Sequence, residues 1–200
     1  MPHVLTLTRL ERFSQEERLL IEQALEYSTA CHAPQRRVSG EPFITHPIAV
    51  AQSLIDDFGA DADTVTAGLL HDAVEDTPAT LDDVESRFGK TIRFLVDGAT
   101  DVGKGDGAAH IPDVEERSRQ SHLKVDRYAQ SDPRVYLVKL ADRWHNLKHC
   151  AALRTKNQLR MATEALSYHV VIARRLGLVQ QADAIERTAR EVMVRNNAIV

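Results

Sequence analysis

Cysteine is scarce. The 200 residues hold two, Cys31 and Cys150, and neither sits in a CxxC pair, which excludes a disulfide framework. No apolar run approaches the 18 or so residues that a membrane span needs. The stretch Met1 to Arg12 is polar and has no apolar core of the signal-peptide kind, so a cytoplasmic location is the default expectation. No strong excess of one charge is present. A net charge of -4 argues against broad binding to nucleic acid or to an anionic membrane, and leaves room only for a local basic pocket. There is no internal repeat, no linker and no low-complexity tract. Glycines alternate with charged residues over Asp101–Pro112, but no GxxxxGK[ST] occurs there and neither flank reads as a strand. That segment is therefore expected to be a mobile loop and not a phosphate-binding loop.

What is present is an ordinary globular balance, 43% hydrophobic and 27% charged. A chain of this size buries roughly 70% of its unfolded surface and fits one domain, residues 1–200. The periodicity is helical throughout. Ser14-Gln15-Glu16-Glu17 has capping-box spacing and opens a helix to about residue 32, with Leu19, Leu20, Ala24, Leu25 and Ala30 on its apolar face. Pro47 is expected at the first position of a second helix that stops at Gly59. A third runs from a cap at Asp61 or Asp63 to Asp76, where Thr77-Pro78 ends it. Thr80 caps a fourth, broken at Gly89 and continued from Thr91 to Ala99. Asp113–Gln130 is a charged helix with a largely solvated face. A helix dense in apolar residues follows from Val135 to His149, and two amphipathic helices complete the chain. The expected fold class is all-α, a single helical bundle of roughly eight to ten helices.

The rest is organised around Gly68–Thr77, where apolar residues lead into His71-Asp72 and then Glu75-Asp76. With His71 at zero, Glu75 lies at about 40°, Asp72 at about 100° and Asp76 at about 140° around the helix. Three carboxylates on one arc repel each other unless a cation or solvent neutralises them, and a divalent metal is the simplest neutraliser. Two further segments carry matching residue types: His46 before Pro47, and Asp142 in the Val135–His149 helix. The set His46, His71, Asp72 and Asp142 would leave up to two of six octahedral positions for water or substrate. Open positions of that kind mark a catalytic and not a structural site. Lys139 and Asn146 flank Asp142 at helical spacing, and Asn146 falls on its face. His145 and His149 have the spacing of a zinc pair but no third ligand, and Trp144 reads as core packing.

Leu70-His71-Asp72-Ala73-Val74-Glu75-Asp76-Thr77 resembles the His-Asp motif of HD-domain metal-dependent phosphohydrolases. Two more stretches narrow the resemblance to the RelA/SpoT family. Arg37-Val38-Ser39-Gly40-Glu41-Pro42-Phe43-Ile44-Thr45-His46-Pro47 is similar to its R-x-S-G-E-P-[YF]-x-x-H-P segment, and Lys139–Asn146 is similar to its K-L-A-D-R-x-x-N segment. The matches fall in the family's order over most of residues 15 to 180. The resemblance implies an HD-domain bundle in which His46, His71, Asp72 and Asp142 ligate one Mn²⁺ per chain, or another divalent transition metal. It also implies that Glu75 and Asp76 position or deprotonate the attacking water and that Arg37 and Asn146 contact the nucleotide. Lys139 is a further candidate for the phosphates. The implied partner is a small nucleotide alarmone, with no nucleic acid and no membrane. The implied reaction releases pyrophosphate from the 3′ position of (p)ppGpp.

Ending at Val200, the chain is expected to be a stand-alone small alarmone hydrolase, since the family's synthetase domain would follow. Val38 stands where family hydrolases often carry a basic residue, which bears on nucleotide preference. Neighbouring alternatives keep the same site and act on (p)ppApp or on the ribose phosphate of NADPH. A different class is a non-catalytic nucleotide sensor or partner-binding protein.

Overall fold

The computed structural model describes residues 6–103 and 111–198. Among them are nine α-helices and no strand, apart from an isolated bridge between Arg36 and Pro42. The helices are α1 (Gln15–His32), α2 (Thr45–Asp56), α3 (Ala62–Asp76), α4 (Leu81–Ala99), α5 (Val114–Ala129), α6 (Arg134–Lys148), α7 (Thr155–Glu164), α8 (Val170–Arg175) and α9 (Val179–Arg195). The all-α expectation holds, as does the expected number of helices. No described helix is long and apolar enough to cross a membrane. Most of the Gly-rich stretch, residues 104–110, lies outside the described residues.

The chain forms two compact units. The first comprises Met1–Arg37 and Glu41–Lys139, the second Val38–Gly40 and Leu140–Val200. Helix α6 begins in the first and ends in the second.

In the first unit α3 is the central helix, packed against α1, α2 and α4. It is buried on all sides from Thr64 to Val74, polar Thr64, Thr66, His71 and Asp72 included. Asp61 caps it, its Oδ1 accepting from the Thr64 amide at 2.9 Å and the Thr64 hydroxyl at 2.6 Å. Gly68 lets α2 approach: a Cβ there would stand 2.5 Å from Leu54 Cδ1. The capping box at Ser14 and Glu17 is formed. The buried stripe of α1 is Ile21, Ala24, Ser28 and His32, so Leu19 and Ala30 lie outward, contrary to the apolar face read from the sequence. Helix α2 begins at Thr45, two residues before the expected start. Pro47 is tolerated inside the first turn because the amides of that turn have no intrahelical partner in any case. Helix α4 is broken where expected, at Gly89, whose φ of 87° favours glycine.

In the second unit α7 passes through a π-helical turn, Ala165–His169, into α8, and both pack on α9. Ala182, Ile185, Ala189 and Val192 form the inward stripe of α9. Gln158 ties this unit together. Its amide donates to the carbonyls of Leu153 (2.7 Å) and Ala151 (3.3 Å), and its oxygen accepts from Arg195 (2.8 Å) and Asn196 (3.0 Å).

Candidate metal centre

His46 lies in the first turn of α2, and His71 and Asp72 lie on α3. All three are buried. His46 Nε2 is 3.3 Å from Asp72 Oδ2, and His71 Nε2 is 3.1 Å from Asp72 Oδ1. His71 Nδ1–H donates to the Gly68 carbonyl at 2.8 Å, because a carbonyl can only accept. That bond leaves the Nε2 of a neutral ring as a lone pair, close to a carboxylate oxygen. Two lone-pair atoms at 3.1 Å repel unless a cation or a second proton lies between them. A divalent ion suits a set of imidazole nitrogens and carboxylate oxygens, so these residues fit a metal. The backbone bond to His71 is the outer support that such a ligand ring needs.

The second acidic pair follows on the next turn. One oxygen from each of Asp72, Glu75 and Asp76 lies within 4.8 Å of the others. The arc drawn from helical angles is thus realised, with Asp72 buried, Glu75 half-buried and Asp76 exposed. Glu75 is held from outside α3: its Oε1 accepts from the Asp101 amide at 2.5 Å. Lys139, buried in α6, donates to Asp101 Oδ1 at 2.9 Å. The expected substrate cation Lys139 is therefore ion-paired within the first unit, one residue removed from Glu75. Arg37 Nε lies 3.7 Å from Glu41 Oε1, and its guanidinium stands 5.9 Å from the Phe43 ring centroid.

Asp142 and Asn146 belong to the second unit, on the C-terminal half of α6. Asn146 Nδ2 donates to Asp142 Oδ1 at 2.6 Å, as the spacing of four residues implies. The neighbouring Arg143 is paired with Glu164 at 3.1 Å. The His145 and His149 rings stack at 4.1 Å between centroids, and His149 Nδ1 donates to the His145 carbonyl at 2.9 Å.

Sequence reasoning passed over three residues at this centre. His32 is buried at the end of α1, with its Nδ1 2.7 Å from Gln35 Oε1 and its ring stacked on Phe43 at 4.7 Å. Gln35 Nε2 donates to the carbonyl of Asp76. Asp101 reaches back over 26 residues to Glu75. The spacing Ala24, Ser28, His32 was a usable signal for a buried histidine. Nothing in the local pattern marks Gln35 or Asp101.

The HD domain family model matches residues 24–179. The chain is 37% identical over 176 residues to the bifunctional (p)ppGpp synthase/hydrolase SpoT of Escherichia coli strain K12, covering 88% of this chain and 24% of that protein. It is 40% identical over 159 residues to the probable guanosine-3′,5′-bis(diphosphate) 3′-pyrophosphohydrolase of Synechocystis, covering 80% of this chain and 20% of that one. It thus spans about a quarter or less of the length of these curated relatives. Among solved structures it is similar to a metazoan ortholog of SpoT described as hydrolysing ppGpp, with TM-score 0.67 and 27% identity over 90% of this chain and 97% of the other. A family model matched over three-quarters of the residues, met by the His-Asp helix and the motif order around it, places this chain in the HD domain family, among proteins of the RelA/SpoT type.

Proposed function

We propose that this chain hydrolyses the 3′-pyrophosphate of guanosine alarmones, converting (p)ppGpp and water to GDP or GTP and pyrophosphate. The observation that carries the reading is the meeting of Asp72, Glu75 and Asp76 beside two buried imidazoles. A binding protein has little use for that second acidic pair. The activity for which the relatives are named supplies the substrate class. The metal is proposed to be one manganese ion, held by His46, His71 and Asp72, with Asp142 as the fourth ligand on the strength of its K-L-A-D-R segment. Residues 1–200 would then work as one HD-type domain. A divalent ion in such a place acidifies water and offsets phosphoryl charge.

The remaining work falls to the chain's own groups. Water attacks the phosphorus bonded to the ribose 3′ oxygen, and the bond between them breaks. Glu75 accepts the proton of that water and the departing 3′ oxygen regains one. Asp76 orients the water from the exposed side. Phosphoryl transfer asks mainly for positioning and charge neutralisation, which Arg37, Lys139 and Asn146 are proposed to provide at the nucleotide.

The test incubates manganese-loaded protein with ppGpp, ppApp and NADPH in parallel and resolves the products by chromatography. GDP and pyrophosphate from ppGpp are expected. Preferential turnover of ppApp would change the base, and release of phosphate from NADPH would change the bond. Tight binding of a nucleotide with no turnover would overturn the enzyme.

A further inference from the structure

Helix α3 ends in the turn that carries Glu75 and Asp76, and the last carbonyls of any helix have no partner within it. Here two of them are taken up by side chains. The Thr77 hydroxyl donates to the Ala73 carbonyl at 2.6 Å, and the Gln35 amide donates to the Asp76 carbonyl from another part of the first unit. A carbonyl only accepts, so Gln35 must turn Nε2 toward Asp76 and Oε1 toward His32. His32 Nδ1 must then carry the proton that fills the 2.7 Å contact. His32 Nε2 is left as a lone pair, 1% exposed for the residue as a whole and with no hydrogen-bond partner among the described atoms. A charged ring would leave a buried donor unanswered there; a neutral one leaves only an acceptor.

We infer that His32 and Gln35 are positioning residues for the acidic pair: the neutral imidazole locks the Gln35 amide, and the amide holds the last turn of α3 so that Glu75 and Asp76 face the metal centre. The inference rests on the proposed hydrolase reading for its kinetic part. Burial pushes the His32 ring down from its ordinary value, against the raising pull of the Gln35 bond and of the Asp72 carboxylate, which agrees with a neutral ring. The neighbouring backbone belongs to the same device. The Gln35 amide donates to the His32 carbonyl at 2.9 Å, and the Phe43 amide donates to the Gln35 carbonyl at 3.1 Å, three residues before His46. One short segment thus braces both the α2 ligand and the end of α3.

Three variants separate this role from packing. Gln35→Met keeps the length of the side chain and removes the amide. His32→Phe keeps an aromatic ring against Phe43 and removes the donor. His32→Asn loses the stacking but puts an amide N–H where Nδ1–H stood. With ppGpp as substrate, Gln35→Met and His32→Phe should lower kcat about 10-fold, the usual scale for outer-shell supports, while KM and Mn²⁺ affinity by calorimetry hold. His32→Asn should recover most of kcat. Amide exchange over residues 73–79 should speed up in Gln35→Met. Wild-type kcat in His32→Phe, or a fall in His32→Asn as deep as in His32→Phe, would overturn the inference in favour of ring packing. If the parent protein does not turn over ppGpp, the hydrolase reading falls by itself. The clamp is then judged by exchange alone: acceleration in Gln35→Met upholds it and unchanged exchange refutes it.

Discussion

Replacing Gly68 by alanine probes the contact between α2, which carries His46, and α3, which carries His71 and Asp72. The added Cβ would lie 2.5 Å from Leu54 Cδ1 and 3.6 Å from Val50 Cγ1. Carbon atoms rest at about 3.5–4.0 Å, so α2 and α3 must part by about 1 Å or Leu54 must rotate. Leu54 is fully buried, so either adjustment disturbs packed neighbours. Overpacking of this kind costs about 1–3 kcal/mol, and alanine's better helix propensity returns about 1 kcal/mol. The net loss is about 1 kcal/mol, which lowers Tm by about 2–4 °C in a chain of this length. His46 rides on α2, and His71 is oriented by the Gly68 carbonyl itself, so parting the helices should also weaken Mn²⁺ binding, by about tenfold. Thermal unfolding and a Mn²⁺ titration of the purified variant measure both. A Gly68→Ala protein as stable as the parent, with equal metal affinity, would refute the account of how α2 and α3 set the ligand spacing.

Two other substitutions address chemistry and stability separately. Glu75→Gln retains an acceptor for the Asp101 amide and loses the charge, so it should fold and bind Mn²⁺ normally while turnover of ppGpp drops about 10²- to 10⁴-fold; near-parental turnover would remove Glu75 from the proton-transfer role. Asp61→Ala removes the cap of α3 and should cost about 1 kcal/mol at neutral pH in a urea melt. Burial pushes the Asp61 carboxyl up, but the Thr64 hydroxyl and amide and the Arg134 guanidinium outweigh it and hold it below the ordinary carboxylate value. A depressed carboxylate stabilises fully above its unfolded pKa of about 4 and loses that contribution as pH falls through the folded value. The gap between parent and Asp61→Ala should therefore narrow below about pH 4, and a gap that widened with acid would contradict the assignment.

Much of this arrangement is legible in one dimension because it is carried by helical periodicity. The acids of α3 share an arc because they sit at fixed angles, whereas its burial on every side, Thr64, Thr66, His71 and Asp72 included, goes beyond the inward face of Val65, Leu69 and Leu70 that the period shows. Gly89 and the caps at Ser14, Asp61 and Thr80 are local signals with local consequences. What periodicity misses is contact between distant segments. Leu19 and Ala30 fit the apolar face of α1 on a helical wheel, yet the helix turns Ile21, Ala24, Ser28 and His32 inward. Gln35 and Asp101 lie in connecting segments, where no period constrains a side chain, and each acts on α3 across 26 or more residues. Lys139 reads from sequence as a cation for phosphate; its pairing with Asp101 depends on a loop whose path spacing does not encode.

The most direct test is a Mn²⁺ titration of metal-free protein, followed by calorimetry and thermal unfolding, beside His71→Ala and Asp72→Ala. Saturation at one ion per chain is expected. At a hundredfold excess over Kd the gain is about 2.7 kcal/mol, a rise in Tm of about 5–10 °C, and both should be abolished in the two variants. A parent protein that takes up no Mn²⁺ and shows no rise in Tm, or variants that bind as the parent does, would contradict the metal centre at His46, His71 and Asp72.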